Sequence, residues 1–376
     1  IHTVEGLQGL AELLVFNAAE RHLRKIEKCQ EALIRTQARM SHISGATSAG
    51  LTLLSGATVG TVLFLGAGRV EHGQLDGAIL AMMAFAALAA FEVVWSLPTA
   101  FQYLSRTREA SRRLTEIIEQ VPAVTFPSRS ASPANHDIVF EGVTFRYDRQ
   151  TPDVLTNFTL RIDQGERVAV MGATGAGKST LVNLLVRFWD VDAGRILVGG
   201  QDIRTLSEAR LRRGMAVVSQ QSHLFNATLR DNLRLAGPDA DDDRLWEALG
   251  KARLDRFVSA LPRGLDTWIG EAGHHLSGGE ARRMAIAQAV LQNAPVWLLD
   301  EPTEGLDRVT EQQVMATLYD LTAHHTMLLI THRPVDLHHM DRIAILENGR
   351  IVEEGHHDAL LANGTYYPRL CMPFRP

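Results

Sequence analysis

Hydrophobic and polar positions follow two different rhythms along this chain. Residues 43–67 (ISGATSAGLTLLSGATVGTVLFLGA) and 77–98 (GAILAMMAFAALAAFEVVWSLP) are nearly unbroken apolar runs. Each is long enough to cross a hydrocarbon layer of about 30 Å as a helix, which needs roughly 20 residues. Between residues 41 and 100 the only charged side chains are Arg69, Glu71, Asp76 and Glu92. The connector Arg69–Asp76 is short, so the two runs are expected to form a hairpin of spans. The first is rich in Gly, Ser and Thr, which allow membrane helices to approach closely.

The flanks have helical spacing but mixed charge. Leu7, Leu10, Leu13, Leu14 and Phe16 open an amphipathic stretch that becomes strongly polar before the first span, and residues 101–120 mirror it after the second. Arg35 and Arg39 on one side, and Arg106, Arg108, Arg112 and Arg113 on the other, put both outer ends in the cytoplasm by the positive-inside rule. The expectation is a partial transmembrane domain over 1–120, with cytoplasmic helical extensions at 1–40 and 101–120. Residues 121–136 (VPAVTFPSRSASPANH) hold three prolines and read as a linker. From Asp137 onward short β-type runs alternate with helical stretches, the pattern of an α/β domain extending to 376.

That second part carries the chemistry. ERVAVMG (166–172) is a buried-strand pattern that runs into GATGAGKST, the GxxxxGK[ST] phosphate-loop spacing. Gly172, Ala173, Thr174, Gly175, Ala176 and Gly177 form a loop whose amides can surround phosphate oxygens. Lys178 reaches the β/γ-phosphates, Ser179 offers a hydroxyl to Mg²⁺, and Thr180 begins the helix whose dipole faces the anion. VWLLDE (296–301) ends a second apolar strand with two carboxylates, Asp300 suited to Mg²⁺ and Glu301 to accepting a proton from attacking water. Gln220 and His332 each follow a further apolar run and are expected near Mg²⁺ or the attacking water and near the γ-phosphate, respectively. LSGGE (276–280) puts Ser277, Gly278, Gly279 and Glu280 at a helix N-terminus, a second anion site.

Charge and cysteine content narrow the classes. The formal charge of -5 provides no net basic field for nucleic acid. Cys29 and Cys371 are too few for a disulfide framework. His274–His275 and His356–His357 lack partner spacing for zinc, and DADDDR (239–244) reads as a solvated helix cap. Glu92, inside an apolar span, is expected to face a translocation cavity or to pair with another span.

Taken in order, the phosphate loop, Gln220, LSGGE, Asp300–Glu301 and His332 resemble the ATP-binding cassette (ABC) family, over about 137–368. The resemblance implies ATP and Mg²⁺ as cofactors, an α/β P-loop cassette behind an all-α membrane domain, and a head-to-tail cassette dimer. It further implies that Tyr147 stacks on adenine and that Asp307, ending EGLD, belongs to the nucleotide site. An exporter half of this family has six spans, so about four are expected ahead of Ile1. LFNATLRDNL, GEAGHHLSGGEARRMAIAQAVL, LLDEPTEGLD and ALAAFE are similar to one subunit of the heterodimeric bacterial inner-membrane exporter of cysteine and glutathione that cytochrome bd assembly requires. That implies a second half-transporter as partner, a small thiol as cargo, and contact with membrane lipid. Lipid, peptide or drug export is the alternative, and a soluble cassette ATPase in DNA repair or translation a remote one.

Overall fold

The computed structural model describes residues 9–128, 130–220, 223–270, 273–334 and 336–372. The chain divides into two compact units, Ile1–Val121 and Pro122–Pro376. The first eight residues of the expected cytoplasmic extension lie outside the described residues.

In the first unit, α1 (Leu10–Val15) is followed by α2 (Ala19–Glu71) and α3 (Gly77–Ile118). The polar N-terminal stretch is therefore not one continuous helix. Asn17 sits at φ 49°, and the N–H groups of Ala18 and Asn17 return to Leu13 O and Leu14 O at 2.8 and 3.1 Å. This is a Schellman stop, which Asn tolerates because its short polar side chain suits the left-handed region. At 1.5 Å per residue, the 53 residues of α2 and 42 of α3 reach roughly 80 and 63 Å, well beyond a bilayer core. Both contain stretches long and apolar enough to cross a membrane.

Threonine hydroxyls within the first run donate to carbonyls one turn back (Thr47 to Ile43, Thr52 to Ser48, Thr58 to Leu54, Thr61 to Ala57, at 2.8–2.9 Å), so these four protons are satisfied within the helix. Asp76 caps α3 by accepting from Ala78 N at 2.9 Å. The two helices meet where Gly66 lies under Leu80, and any Cβ at Gly66 would overlap the leucine methyl.

In the second unit the strands are β1 (Ile138–Phe145), β2 (Leu155–Ile162), β3 (Arg167–Met171), β4 (Ala193–Val198), β5 (Gln201–Asp202), β6 (Met215–Val218), β7 (Ala227–Thr228), β8 (Trp268–Ile269), β9 (Val296–Asp300), β10 (Thr326–Thr331), β11 (Arg342–Glu347) and β12 (Arg350–Gly355). They form an antiparallel sheet in the order β2-β1-β4-β5, a six-stranded sheet in the order β12-β11-β3-β10-β9-β6, and a separate antiparallel pair β7-β8. In the six-stranded sheet, β11, β3, β10, β9 and β6 run parallel, and only the edge strand β12 is antiparallel.

A parallel sheet covered on both faces needs strands that are apolar throughout. Here the two-residue side-chain period sorts each strand between two cores. Ala169, Met171, Trp297, Leu299, Met327 and Leu329 face a core shared with the helices 229–258, 278–292 and 308–321. Val168, Val170, Val296, Leu298, Leu328 and Ile330 face a second core shared with the antiparallel sheet and the helix that follows the phosphate loop.

The described residues of 121–136 contain neither helix nor strand, yet from Phe126 onward the segment is fastened to this unit. The Phe126 ring lies beneath the guanidinium groups of Arg187 and Arg212, at 4.7 and 5.4 Å from its centroid. Ser130 Oγ accepts from Ser207 N at 2.9 Å. Phe126→Ala is therefore expected to destabilise this unit by about 1–2 kcal/mol, through lost packing and lost cation–π contact, measured as an earlier denaturant midpoint. An unchanged midpoint would mean that the segment is only a tether.

Candidate functional site

Four adjacent strands, β3, β10, β9 and β6, deliver the candidate residues from their carboxyl ends to one edge of the sheet, the edge where open α/β sheets bind ligands. The register brings Thr331 beside Met171 and Ile330 beside Asp300. Strand order thus separates the phosphate loop from the Asp300–Glu301 pair by one strand, and the strand between them carries His332.

The loop after β3 folds as a cradle around its own lysine. Helix α4 (Lys178–Leu185) starts from Gly177, whose φ of 99° requires a residue without Cβ. Gly172 is needed for space: a Cβ there would collide with the Leu346 carbonyl oxygen of β11. Lys178 is 5% exposed, and its Nζ donates to Gly172 O and Ala173 O at 2.9 and 3.0 Å while lying 3.7 Å from Glu301 Oε1. Burial pulls the ammonium pKa down, against the opposing pull of Glu301 and Asp300.

Ser179 Oγ donates to Asp300 Oδ1 at 3.0 Å. Burial pushes the Asp300 carboxyl above the usual carboxylate range, and the serine hydrogen bond offsets only part of that. A buried carboxylate short of compensating charge beside a hydroxyl is a hard oxygen donor set, and it fits Mg²⁺.

Glu301 stands in the left-handed region at φ 46°, an uncommon conformation for a non-glycine residue. Its N–H donates to Ile330 O at 2.8 Å, which fixes the turn to the neighbouring strand. The carboxylate lies between Lys178 and His332, whose Nδ1 is 2.9 Å from Glu301 Oε2 at ion-pair distance but outside hydrogen-bond alignment.

Gln220 points to Glu304, donating from Nε2 to the carboxylate. Its backbone is held by Arg282, which reaches the carbonyls of Ser219 and Gln220 from helix α5 (Gly278–Gln292). Sequence reasoning passed over Arg282 and Glu304. A signal for the former was available: Arg282 shares the buried face of α5 with Ile286 and Ala289, an ion on an apolar stripe. A third unread residue is Glu311 at 1% exposure, which accepts from Thr303 Oγ1 at 3.0 Å and pairs with Arg333 at 2.8 Å. It ties the turn after Glu301 to the turn after His332.

Tyr147 packs edge-on against Phe145 and Trp189, with ring centroids 4.9 and 5.6 Å away. Its hydroxyl is 3.1 Å from Thr180 Oγ1 and accepts from Asn183 Nδ2 at 3.3 Å. The ring borders a cavity of about 820 Å³ that continues along Gly172–Ala176 to Arg369. That size suits a ligand of several hundred daltons.

The Ser277–Glu280 turn is a complete capping box. Ser277 Oγ accepts from Glu280 N at 3.3 Å, and Glu280 Oε2 accepts from Ser277 N at 2.7 Å. Glu280 is thus accounted for by helix capping, while the Gly278 and Gly279 amides head the helix. A Cβ at Gly279 would meet the Thr310 methyl at 3.0 Å, so this position must stay small. Asp307 likewise caps its own helix, α6 (Arg308–Leu321), its Oδ1 accepting from Val309 N and Thr310 N at 3.0 Å each. A hydrogen bond from the Thr310 side chain, with those from Thr310 N and Val309 N, holds its carboxyl below the usual range.

The ABC transporter family model matches residues 155–304. Over 363 residues the chain is 40% identical to the glutathione/L-cysteine transport system ATP-binding/permease protein CydC of Escherichia coli, covering 96% of this chain and 63% of that protein. It is 34% identical over 367 residues to the ATP-dependent lipid A-core flippase of Chromobacterium violaceum, covering 97% of this chain and 63% of the flippase. Among solved structures, a bacterial Atm1-family ABC exporter with ATP bound matches with a TM-score of 0.83 at 28% identity, over 100% of this chain and 66% of the other. The chain thus spans about 63% of the length of these curated relatives. The P-loop cassette thus matches the ABC transporter family model over 155–304, and along almost its whole length the chain is similar to ATP-binding/permease proteins and ABC exporters.

Proposed function

We propose that the chain is the ATP-hydrolysing part of an exporter half, working with a second half-transporter in a bacterial inner membrane to move a small thiol such as cysteine or glutathione. The observation that carries the ATPase reading is the convergence of Lys178, Glu301 and His332 with the Ser179–Asp300 pair at one sheet edge. In this reading the loop amides and Lys178 hold the β/γ-phosphates, and Tyr147 offers its exposed ring to the base. Mg²⁺ bound at Ser179 and Asp300 would supply neutralisation of phosphate charge. Phosphate oxygens arriving in the cradle draw Lys178 away from Glu301. The freed carboxylate then takes the proton of the attacking water, which Gln220 orients and His332 helps to align against the γ-phosphate. Ser277, Gly278 and Gly279 serve a nucleotide held by the partner, with Asp307 nearby.

The thiol reading draws on the higher identity to the CydC protein, 40% against 34% for the flippase, and on two residues of this chain: Glu280 where the family commonly has Gln, and EGLD (304–307) where it commonly has SALD. Inside-out vesicles carrying the full-length half and its partner are expected to accumulate cysteine or glutathione only with ATP. Vesicles that translocate lipid A-core but no thiol would assign the chain to the flippases instead. Ser277→Arg is expected to suppress turnover at the partner's nucleotide while this chain still photo-crosslinks ATP. Loss of ATP labelling on this chain itself would contradict a shared site.

A further inference from the structure

The groove between α2 and α3 forms an open pocket of about 480 Å³, within the size range of small-molecule sites. Thr52, Ser55 and Gly56 line it from one helix, and Phe91, Glu92 and Trp95 from the other. Glu92 is the sole ionisable residue of 77–98, and neither apolar run contains Lys or Arg. It lies fifteen residues past Gly77, roughly 22 Å along the helix, which puts it inside a core of about 30 Å and about 8 Å from the nearer end. Within a hydrocarbon core an ionised carboxylate is strongly disfavoured unless a cation or water meets it. The hairpin supplies no cation.

The other lining groups have one chemistry in common. Thr52 donates its hydroxyl proton to Ser48 O at 2.9 Å, which leaves its oxygen free only to accept. Phe91 and Trp95 flank Glu92 on the same helix, and the faces of such rings attract cations. An ammonium group has three donors and no acceptor, so it matches a carboxylate, hydroxyl oxygens and an indole face together. An anionic or purely apolar ligand would leave the carboxylate uncompensated.

We infer that this cavity binds the ammonium group of the exported cargo, with Glu92 as its counter-ion and Trp95 against its other side. The inference rests on the exporter reading above, and for an amino-acid or peptide thiol it assigns the site to the α-ammonium. It excludes cargo that lacks a basic nitrogen from this position.

The test uses the full-length transporter with its partner in lipid nanodiscs, and four probes: cysteine, serine, N-acetylcysteine and N-acetylserine. Equilibrium binding of radiolabelled probe and half-maximal stimulation of ATP turnover are the two readouts. The wild type is expected to respond to the free amines at concentrations at least tenfold lower than to their acetylated forms. Glu92→Gln should bring amine and acetyl form within about twofold of each other, Glu92→Asp should retain most of the discrimination, and Trp95→Leu should reduce it several-fold. Indifference of the wild type to acetylation, or full discrimination in Glu92→Gln, would overturn the assignment. Should Glu92→Gln fail to assemble, Trp95→Leu decides, and unaltered discrimination there counts against the site. If serine acts like cysteine and both depend on Glu92, the thiol reading fails while the ammonium site stands. If both cysteine forms act equally well, thiol export stands and the ammonium site falls.

Discussion

Glu301→Gln is expected to lower ATP turnover by about 10²- to 10⁴-fold, the usual cost of losing a general base. The backbone anchor from Glu301 N to Ile330 O does not depend on the side chain, so the turn keeps its shape. The amide retains the size of the carboxylate and cannot take a proton. A further consequence comes from the ion pair at 3.7 Å between Lys178 and Glu301. In the wild type, nucleotide phosphates must compete with that carboxylate for the ammonium. The variant removes the competitor, so ATP affinity should be unchanged or tighter while turnover collapses. Single-turnover hydrolysis alongside equilibrium binding of a fluorescent ATP analogue separates the two. Turnover within a few-fold of wild type would take Glu301 out of the role, and weakened binding would contradict the competition argument.

The second large effect is expected at Gly172, where a single methyl group should weaken both fold stability and nucleotide binding. The Cβ of Gly172→Ala would enter the Leu346 carbonyl oxygen and press on Ala176 Cβ at 3.4 Å. The carbonyl belongs to β11, which pairs directly with β3, so neither strand can yield without disturbing the parallel sheet. Overpacking of this kind costs about 1–3 kcal/mol. For a unit of this size each kcal/mol corresponds to a thermal midpoint roughly 2–4 °C lower. The Gly172 carbonyl also accepts from Lys178 Nζ at 2.9 Å, so ATP affinity should fall together with stability. Gly175→Ala is the control: nothing lies within 4 Å of its Cβ, and only its φ of +84° is unfavourable, a cost of about 1–2 kcal/mol without loss of the lysine contact. Equal or weaker effects of Gly172→Ala on nucleotide binding would show that conformation, rather than close approach, sets the need for glycine.

The phosphate loop, the Asp300–Glu301 strand end and the two apolar runs were legible in the sequence because each is a local signal. A GxxxxGKS turn, an all-apolar strand pattern and a charge-free stretch of helical length depend on neighbouring residues only. The break at Asn17 was less legible, since one left-handed residue ends α1 inside an otherwise helical pattern. Residues 121–136 read as a tether by their prolines, and the grip of Arg187 and Arg212 on Phe126 came only with the fold.

What the tertiary structure decided is the set of partners between residues far apart in sequence. Strand order determines that His332, after β10, stands beside Glu301, after β9, and that the Glu301 carboxylate meets Lys178 on its other side. No spacing rule contains that order. Arg282 clasping the Gln220 loop, Glu304 receiving its side chain, and Glu311 joining Thr303 to Arg333 follow for the same reason. Sequence motifs specify the turn geometry and the chemical groups, which are local. Charge compensation and burial are set by whichever strands the parallel sheet makes neighbours, and therefore only folding assigns them.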